Sequence, residues 1–352
     1  MQQAPVTAAQ LSIIIPCRNE ASKLPRLLQQ LATQEDIKLE IIVADGESED
    51  DSILVAKATG AKVSTSAANR GAQMNQGAAL ASSDWLLFLH ADSALTHTKQ
   101  LQRALAHIKN QQGDLVAGHF PLTFIDRPQH QRRWRVLEFK TTTNLPLTIS
   151  GDQGLLIQKS NFEQLGGFET HLPFLEDQTF AAKLHTLGRW VLLPDQLETS
   201  ARRFTRQGFT QRYLLMTLIM VAYCCRLPAF LNPKALYPEQ GKAQPISLAE
   251  HIRRFNQLSF QQHWFAVISL YWRIAGLARE NLYQAPLWLD SVLHLKSWPL
   301  TRGWLASGQK LAHLPLCKQI LQLLLLPAFP LFTHLWLLNA AIAARIKKSP
   351  TS

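Results

Sequence analysis

Leu39-Glu-Ile-Ile-Val-Ala44, followed at once by Asp45-Gly46, decides the fold. The run is too short for a typical helix and too continuously apolar for a strand wetted on one face. It therefore reads as a strand covered on both faces and ended by a polar turn. Upstream, Leu11-Ser-Ile-Ile-Ile-Pro16 has the same character and leads through Arg18-Asn19-Glu20 into a helical stretch reaching Leu31. Downstream, residues 51–59 have helical spacing, Ala61-Lys-Val-Ser-Thr65 is a third strand and residues 71–81 form a helix of small residues. Asp84-Trp-Leu-Leu-Phe-Leu-His90 is a fourth strand, ending at Ala91-Asp92. Such alternation predicts an α/β domain over residues 10–205, with a mostly parallel sheet flanked by helices. Ligands of these sheets bind beyond the carboxyl ends of the strands. Those ends carry Asn19, Asp45 and Asp92, which are expected to face one crevice.

The pattern changes after residue 205. Residues 206–235 read as an apolar helical segment, in which 213–223 is apolar all round, flanked by Arg212 and Arg226 and ended by Pro228. Residues 236–248 are rich in Pro, Gly and Gln and read as a linker. Residues 249–352 read as a basic helical extension with helices at 260–278, 285–295 and 303–311, then 25 uncharged residues at 320–344. Charge divides the same way: the 352 residues carry a formal net charge of +11, but residues 1–200 sum to −3 and residues 201–352 to +14. Composition excludes collagen-like, disordered and disulfide-scaffold classes. Cys17, Cys224, Cys225 and Cys317 fit neither a disulfide framework nor a zinc site, which points to a reducing compartment. Residues 1–10 lack the cationic and apolar regions of a secretory leader, so a cytoplasmic placement is expected.

The polar residues at the strand ends suit a nucleoside diphosphate. Asp45 is placed to accept hydrogen bonds from a planar base, and Arg70 with the amides around Gly71 could face a diphosphate at a helix N-terminus. Asp92 could hold a hard divalent cation that also touches diphosphate oxygens. Taken singly, each is equally a turn or cap residue. Their joint occurrence at the strand ends favours the binding site.

Ile13-Ile-Ile-Pro16-Cys-Arg-Asn19-Glu20, Asp45-Gly-Glu-Ser48-Glu-Asp50 and His90-Ala-Asp92 resemble the nucleotide-sugar motifs of the family 2 glycosyltransferases. Arg70-Gly-Ala-Gln-Met-Asn75-Gln-Gly77 and Gly151-Asp152-Gln153-Gly154 are similar to a bacterial branch, the radical-SAM- or selenodomain-associated, arsenosugar-type transferases. The resemblance implies a nucleotide-sugar-binding glycosyltransferase A-type fold with an α-helical C-terminal extension. It implies that Pro16, Asn19, Glu20, Asp45, Ser48, Asp50, Arg70, Gly71, Asn75 and His90 bind the donor, a nucleoside-diphosphate sugar. It also implies Asp92 as the ligand of Mg²⁺ or Mn²⁺; the element here is His-Ala-Asp, so the metal would rest on one aspartate. Phe174-Leu-Glu176-Asp177 is similar to the family's Glu-Asp pair. An inverting transfer needs one carboxylate to deprotonate the acceptor hydroxyl; by resemblance that is Asp177, with Glu176 in support. Asp152, Gln153, Arg202 and Arg203 are expected to contact the sugar or the acceptor. Ser200-Ala-Arg202-Arg203-Phe204 stands where processive members carry Gln-x-x-Arg-Trp, so a single transfer is expected rather than polymerisation. The competing readings are a nucleotidyltransferase and a nucleotide-sugar-binding scaffold without catalysis.

Nucleic-acid recognition is not expected of the basic tail, which carries no reading module. Six of the nine Trp residues lie in it, at positions 264, 272, 288, 298, 304 and 336, most near Arg or Lys. That pairing suits an anionic headgroup region. The expected location is the cytoplasmic side of the membrane, held peripherally, monotopically or by one C-terminal segment, with a soluble helical subdomain as the alternative. The expected acceptor bears a hydroxyl, and a membrane position would suit a lipid-linked one.

Overall fold

The structure, a computed structural model, describes residues 9–127, 132–172, 174–236 and 246–346. The N-terminal residues 1–8 and most of the expected linker, 237–245, lie outside the described residues. Two compact units form: residues 1–127 with 137–201, and residues 128–136 with 202–352.

In the first unit, β1 (Leu11–Cys17), α1 (Leu24–Ala32), β2 (Leu39–Asp45), α2 (Ser52–Ala58), β3 (Lys62–Thr65), α3 (Arg70–Leu80) and β4 (Trp85–Phe88) alternate as the sequence implies. Then follow α4 (Gln100–Lys109), β5 (Val116–His119), β6 (Leu122–Ile125) and α5 (Arg132–Thr141), whose residues up to Val136 count with the second unit. The series closes with β7 (Leu155–Gln158), α6 (Lys159–Gln164), α7 (Glu176–Leu187), β8 (Arg189–Leu192) and β9 (Leu197–Ser200). Seven strands form one sheet in the order β3-β2-β1-β4-β7-β5-β8, and β6 pairs with β9 in a small parallel ribbon. Only β7 runs against its neighbours β4 and β5, so the sheet is mixed but mostly parallel.

Every residue of β1 is buried because both faces of the sheet are covered. Ile13 and Ile15 pack with Leu24, Leu27 and Leu101 on one side, while Ile14 packs with Met74, Phe88 and Phe162 on the other. This alternation is the two-residue period of a strand, and each such buried aliphatic side chain stabilises the fold by about 1.5–3 kcal/mol. The parallel register sets Cys17 beside Asp45, so the loops after β1 and β2 emerge together.

At the other end of these strands sits a buried acid. Glu40 accepts hydrogen bonds from the Ser12 hydroxyl and the Ser82 amide and pairs with Lys62. Burial alone would raise its pKa, but these partners outweigh it and bring the carboxyl from the ordinary 4.5 to about 2. A depressed folded-state pKa contributes stability above the unfolded value that is lost as pH falls through the folded one. Glu40→Gln is therefore expected to cost on the order of 2 kcal/mol at pH 7. The difference from wild type should shrink between about pH 4.5 and pH 2 in denaturant titrations. A cost unchanged across that range would assign it to packing alone.

The second unit is helical: α8 (Arg202–Gln207), α9 (Phe209–Cys224), α10 (Pro233–Leu236), α11 (Leu248–Phe260), α12 (Trp264–Glu280) and α13 (Gln284–Val292), then α14 (Pro299–Gly303), α15 (Gln309–His313), α16 (Pro315–Leu325) and α17 (Ala328–Ile346). Arg212 falls inside α9, and the chain leaves that helix through Arg226 at φ 60° before Pro228. The helix expected at 303–311 is instead α14 and α15 with one π turn, Trp304–Gly308, between them. The uncharged run at 320–344 falls on two helices, α16 and α17, parted at Leu326-Pro327, where proline cannot donate the hydrogen bond a continuous helix needs. By length and composition the run Pro315–Ala340 is apolar enough to cross a membrane, with a mean hydropathy of 1.7, and only 11% of its apolar window is buried.

Candidate active site

The loops leaving β1 and β2 are laced together. The Asn19 amide donates to Ser48 Oγ at 2.9 Å, and Asn19 Oδ1 accepts the Glu49 amide at 2.8 Å. The amides of Glu20 and Ala21 donate to Ser52 Oγ and Asp50 Oδ2 at 2.8 and 3.1 Å. Asn19 and Glu47 adopt left-handed backbone, which turns the chain sharply at both strand ends. The Asn19, Ser48 and Asp50 side chains thus shape the rim, while Glu20 pairs with Lys23 and Pro16 is buried within β1, in register with Ala44.

Asp45 differs from its neighbours. Its side chain is 1% exposed, and Oδ2 accepts the Ser48 amide at 3.0 Å, but Oδ1 has no hydrogen-bond partner among the described residues. A buried carboxylate oxygen without a donor is costly unless a ligand satisfies it.

Helix α3 is tied in from the other side. Gln73 Nε2 donates to the carbonyls of Cys17 and Ala44, capping both strand ends at 2.7 and 3.0 Å. A Cβ on Gly46 would stand 2.3 Å from that nitrogen, so a larger residue there would push the Gln73 amide off the two strand ends. Asn69 caps the helix by accepting the Ala72 amide and also donates to the carbonyls of Thr170 and Leu172. Gly71 admits the Glu169 carbonyl, which would lie 2.5 Å from any Cβ there. Asn75 accepts from and donates to the Phe168 backbone. Asn69 directly precedes the Arg70-Gly71 motif and Gln73 lies within it, so both belong to the stretch that the sequence marks out.

The third group surrounds the short 3₁₀ turn Gly151–Gln153. Asp177, in the first turn of α7, accepts the Gly151 amide on Oδ2 at 2.7 Å and the Gln178 amide on Oδ1 at 2.8 Å. Its neighbour Glu176 is 2% exposed and pairs with Arg70 Nε. Burial opposes the Arg70 charge, yet Glu176, Asp177 and Asp152 together push its pKa upward. His90 Nδ1 meets Asp152 Oδ1 at 2.7 Å, and a Cβ on Gly151 would lie 2.8 Å from His90 Nε2 and 3.2 Å from Asp177 Oδ2. His90, Gly151, Asp152, Asp177, Glu176 and Arg70 therefore form one cluster. Leu175, just before the acidic pair, holds φ 73°, a strained conformation for a branched side chain.

Gln153 corrects the expectation. It is fully buried, with Oε1 on the Ser150 amide and Nε2 on the Thr141 carbonyl and His119 Nδ1. It cannot reach a sugar or an acceptor; it anchors the turn that presents Asp152. Arg202 and Arg203 begin α8 in the second unit, both exposed.

Asp92 is half-buried and carries no hydrogen bond or ion pair among the described residues. No group of three His, Cys, Asp or Glu able to hold a metal ion occurs among the described residues. One free carboxylate completed by substrate oxygens is nonetheless a donor set that suits Mg²⁺ or Mn²⁺.

A cavity of about 20 Å³, lined by Met74, His90, Gly151, Phe168 and Asp177, leaves room for one water beside the cluster. A roomier cavity of about 500 Å³ lies at the amino ends of β5 and β8, lined by Asp114, Leu115, Gln164 and Arg189. It faces away from the strand ends where such sheets bind ligands, and none of the clustered groups borders it.

Residues 12–164 match the family model described as Glycosyl transferase family 2. This stretch resembles the family 2 glycosyltransferases. Its mixed sheet flanked by helices, with helices following toward the C-terminus, is the glycosyltransferase A-type fold expected from the sequence. The 4,4'-diaponeurosporenoate glycosyltransferase of Staphylococcus haemolyticus is 34% identical over 157 residues, 42% of this chain and 42% of that protein. A PGL/p-HBAD biosynthesis glycosyltransferase of Mycobacterium bovis is 34% identical over 121 residues, 32% of this chain and 47% of that protein. The chain thus spans less than half the length of these relatives. Among solved structures, the mannosyltransferase PcManGT of Pyrobaculum calidifontis, in complex with GDP-Man and Mn²⁺, is 17% identical with a TM-score of 0.46. That likeness covers 95% of this chain and 88% of the other.

Proposed function

We propose that the protein is an inverting glycosyltransferase, moving a sugar from a nucleoside-diphosphate donor to an acceptor hydroxyl in a single, non-processive transfer. The observation that carries this reading is the cluster at the strand ends: an orphaned buried Asp45 oxygen on one side, and Asp177 with Arg70 and Glu176 on the other. Residues 10–205 are the catalytic domain in this reading, followed by an apolar segment (206–235), a linker (236–248) and a basic extension (249–352). The motifs at Arg70–Gly77 and Gly151–Gly154 favour the radical-SAM-associated branch.

The base of the nucleotide donates its N–H to Asp45 Oδ1, a buried acceptor that no described residue satisfies. Asp177 takes the proton of the acceptor hydroxyl as its oxygen attacks the anomeric carbon. The Gly151 amide keeps that carboxylate oriented before substrate arrives. Arg70, held by Glu176, offsets negative charge near the reacting centre. A Mg²⁺ or Mn²⁺ ion held by Asp92 and diphosphate oxygens would neutralise charge on the departing nucleotide. The basic extension places the enzyme on the cytoplasmic face of a bacterial membrane, where the acceptor is lipid-linked.

Calorimetric titration with a panel of nucleotide sugars, with and without Mn²⁺, tests the donor site. At least one donor should bind, and Asp45→Asn should weaken it by about tenfold or more. Absence of binding by every donor would sink the reading, and binding without transfer to any acceptor would leave a scaffold.

A further inference from the structure

Two helices of the second unit, α16 and α17, are inverted in polarity, and a third, α12, is apolar on its outer face as well as its inner one. On α16, Leu316, Ile320, Leu323 and Leu324 are 48–70% exposed, while its polar Gln322 is 7% exposed and donates to the Trp272 carbonyl at 2.9 Å. On α17, Leu331, Phe332, Leu335 and Leu338 face outward, while Thr333 is 2% exposed and bonded to the Pro330 carbonyl. On α12, Trp264, Ile268 and Trp272 form an exposed stripe at four-residue spacing, opposite buried Leu270 and Ile274. A helix facing water shows the reverse pattern, and apolar patches of this extent mark lipid or protein contacts.

We propose that the outward faces of α12, α16 and α17 dock on an anionic membrane, embedded in one leaflet rather than crossing it. Charge selects lipid. Residues 246–346 hold nine basic side chains and three acidic ones. Of those three, Asp290 is fully buried, bonded to the amides of Leu300 and Thr301. Lys310 and Lys318 are exposed on and beside the leucine-rich α16. Basic groups beside an apolar face that carries Trp are the pattern of an interfacial helix on anionic lipid.

Length selects the depth. The 11 residues of α16 rise only ~16 Å before the break at Leu326-Pro327, short of the ~30 Å of hydrocarbon. Helix α17 is longer, but it packs along α11 and α12 and exposes His334 and Asn339 among its leucines. A helix seated against its own unit, with polar groups on its outer surface, lies along the interface.

This proposal rests on the membrane placement above and not on glycosyl transfer, so its test needs no substrate. The full-length protein is floated with vesicles of phosphatidylcholine and phosphatidylglycerol, or of phosphatidylcholine alone. Wild type should float with the anionic vesicles. The triple variant Ile268→Asp, Leu323→Asp, Leu335→Asp, altered only at exposed positions, should float about tenfold less. Its melting temperature should match wild type. The pair Leu54→Asp, Leu187→Asp, exposed in the first unit, should float as wild type does. Failure of wild type to float overturns the membrane placement itself, whereas equal flotation of wild type and triple variant overturns this surface alone. A C-terminal tag on protein bound to sealed vesicles should remain open to added protease; protection would mean the chain crosses. A wild-type dimer that the triple variant abolishes, with no lipid binding by either, would assign the surface to a second copy instead.

Discussion

Asp177→Asn is expected to lower kcat by about 10²–10⁴-fold while donor affinity stays within about twofold of wild type. The substitution keeps size and shape at a half-buried position in the first turn of α7. The amide oxygen can still accept the Gly151 N–H, so the turn that carries Asp152 keeps its support. What disappears is the negative charge able to take a proton from the acceptor. Single-turnover transfer measured beside calorimetric donor binding separates the two quantities. If donor affinity falls in step with the rate, Asp177 belongs to binding and another group must be the base.

Arg70→Met should destabilise the fold by about 2 kcal/mol and also reduce activity. It leaves Glu176, 2% exposed, without the cation that compensates its charge. Breaking a fully buried pair costs about 3–5 kcal/mol; the lower figure reflects an Arg70 side chain that remains 40% exposed. In the Arg70→Met background, Glu176→Gln should restore most of the lost stability, since a neutral amide no longer needs a counter-charge. Activity should not return with it if Arg70 acts on the diphosphate. Recovery of stability and activity together would make the pair purely architectural. Denaturant midpoints and transfer rates on the same three variants decide the matter.

The strands that build the site were legible because their apolar runs leave no other reading. Leu11–Cys17 and Leu39–Asp45 stand where the sequence implies, and the small-residue helix begins at Arg70, one residue early. Less could be read where partners are distant in sequence. Ser150-Gly-Asp-Gln153 offers a local capping box that ties Gln153 Oε1 to the Ser150 amide, but nothing local shows that Nε2 is buried, because its partners Thr141 and His119 come from other segments. Glu40 gave a faint signal, a lone charge in an apolar strand, and its Lys62 partner sits on the next strand. Helix α11 escaped because its core residues Leu248, Ile252 and Phe255 follow directly on a Pro- and Gln-rich stretch. The π turn at Trp304–Gly308 carries no signature in its own residues, whereas Pro327 itself marks the break between α16 and α17.

The turn at Gly151–Gln153 also bears on how this protein could be altered. Gln153 is locked into the interior by three bonds, while Asp152, one residue away, keeps a side chain 53% exposed that meets His90. Two adjacent positions thus answer to different constraints, one to folding and one to whatever approaches from solution. A library randomised at residue 152 should yield folded proteins with changed acceptor preference. The same library at residue 153 should yield mostly protein that fails to accumulate, even though both positions lie in the same three-residue turn.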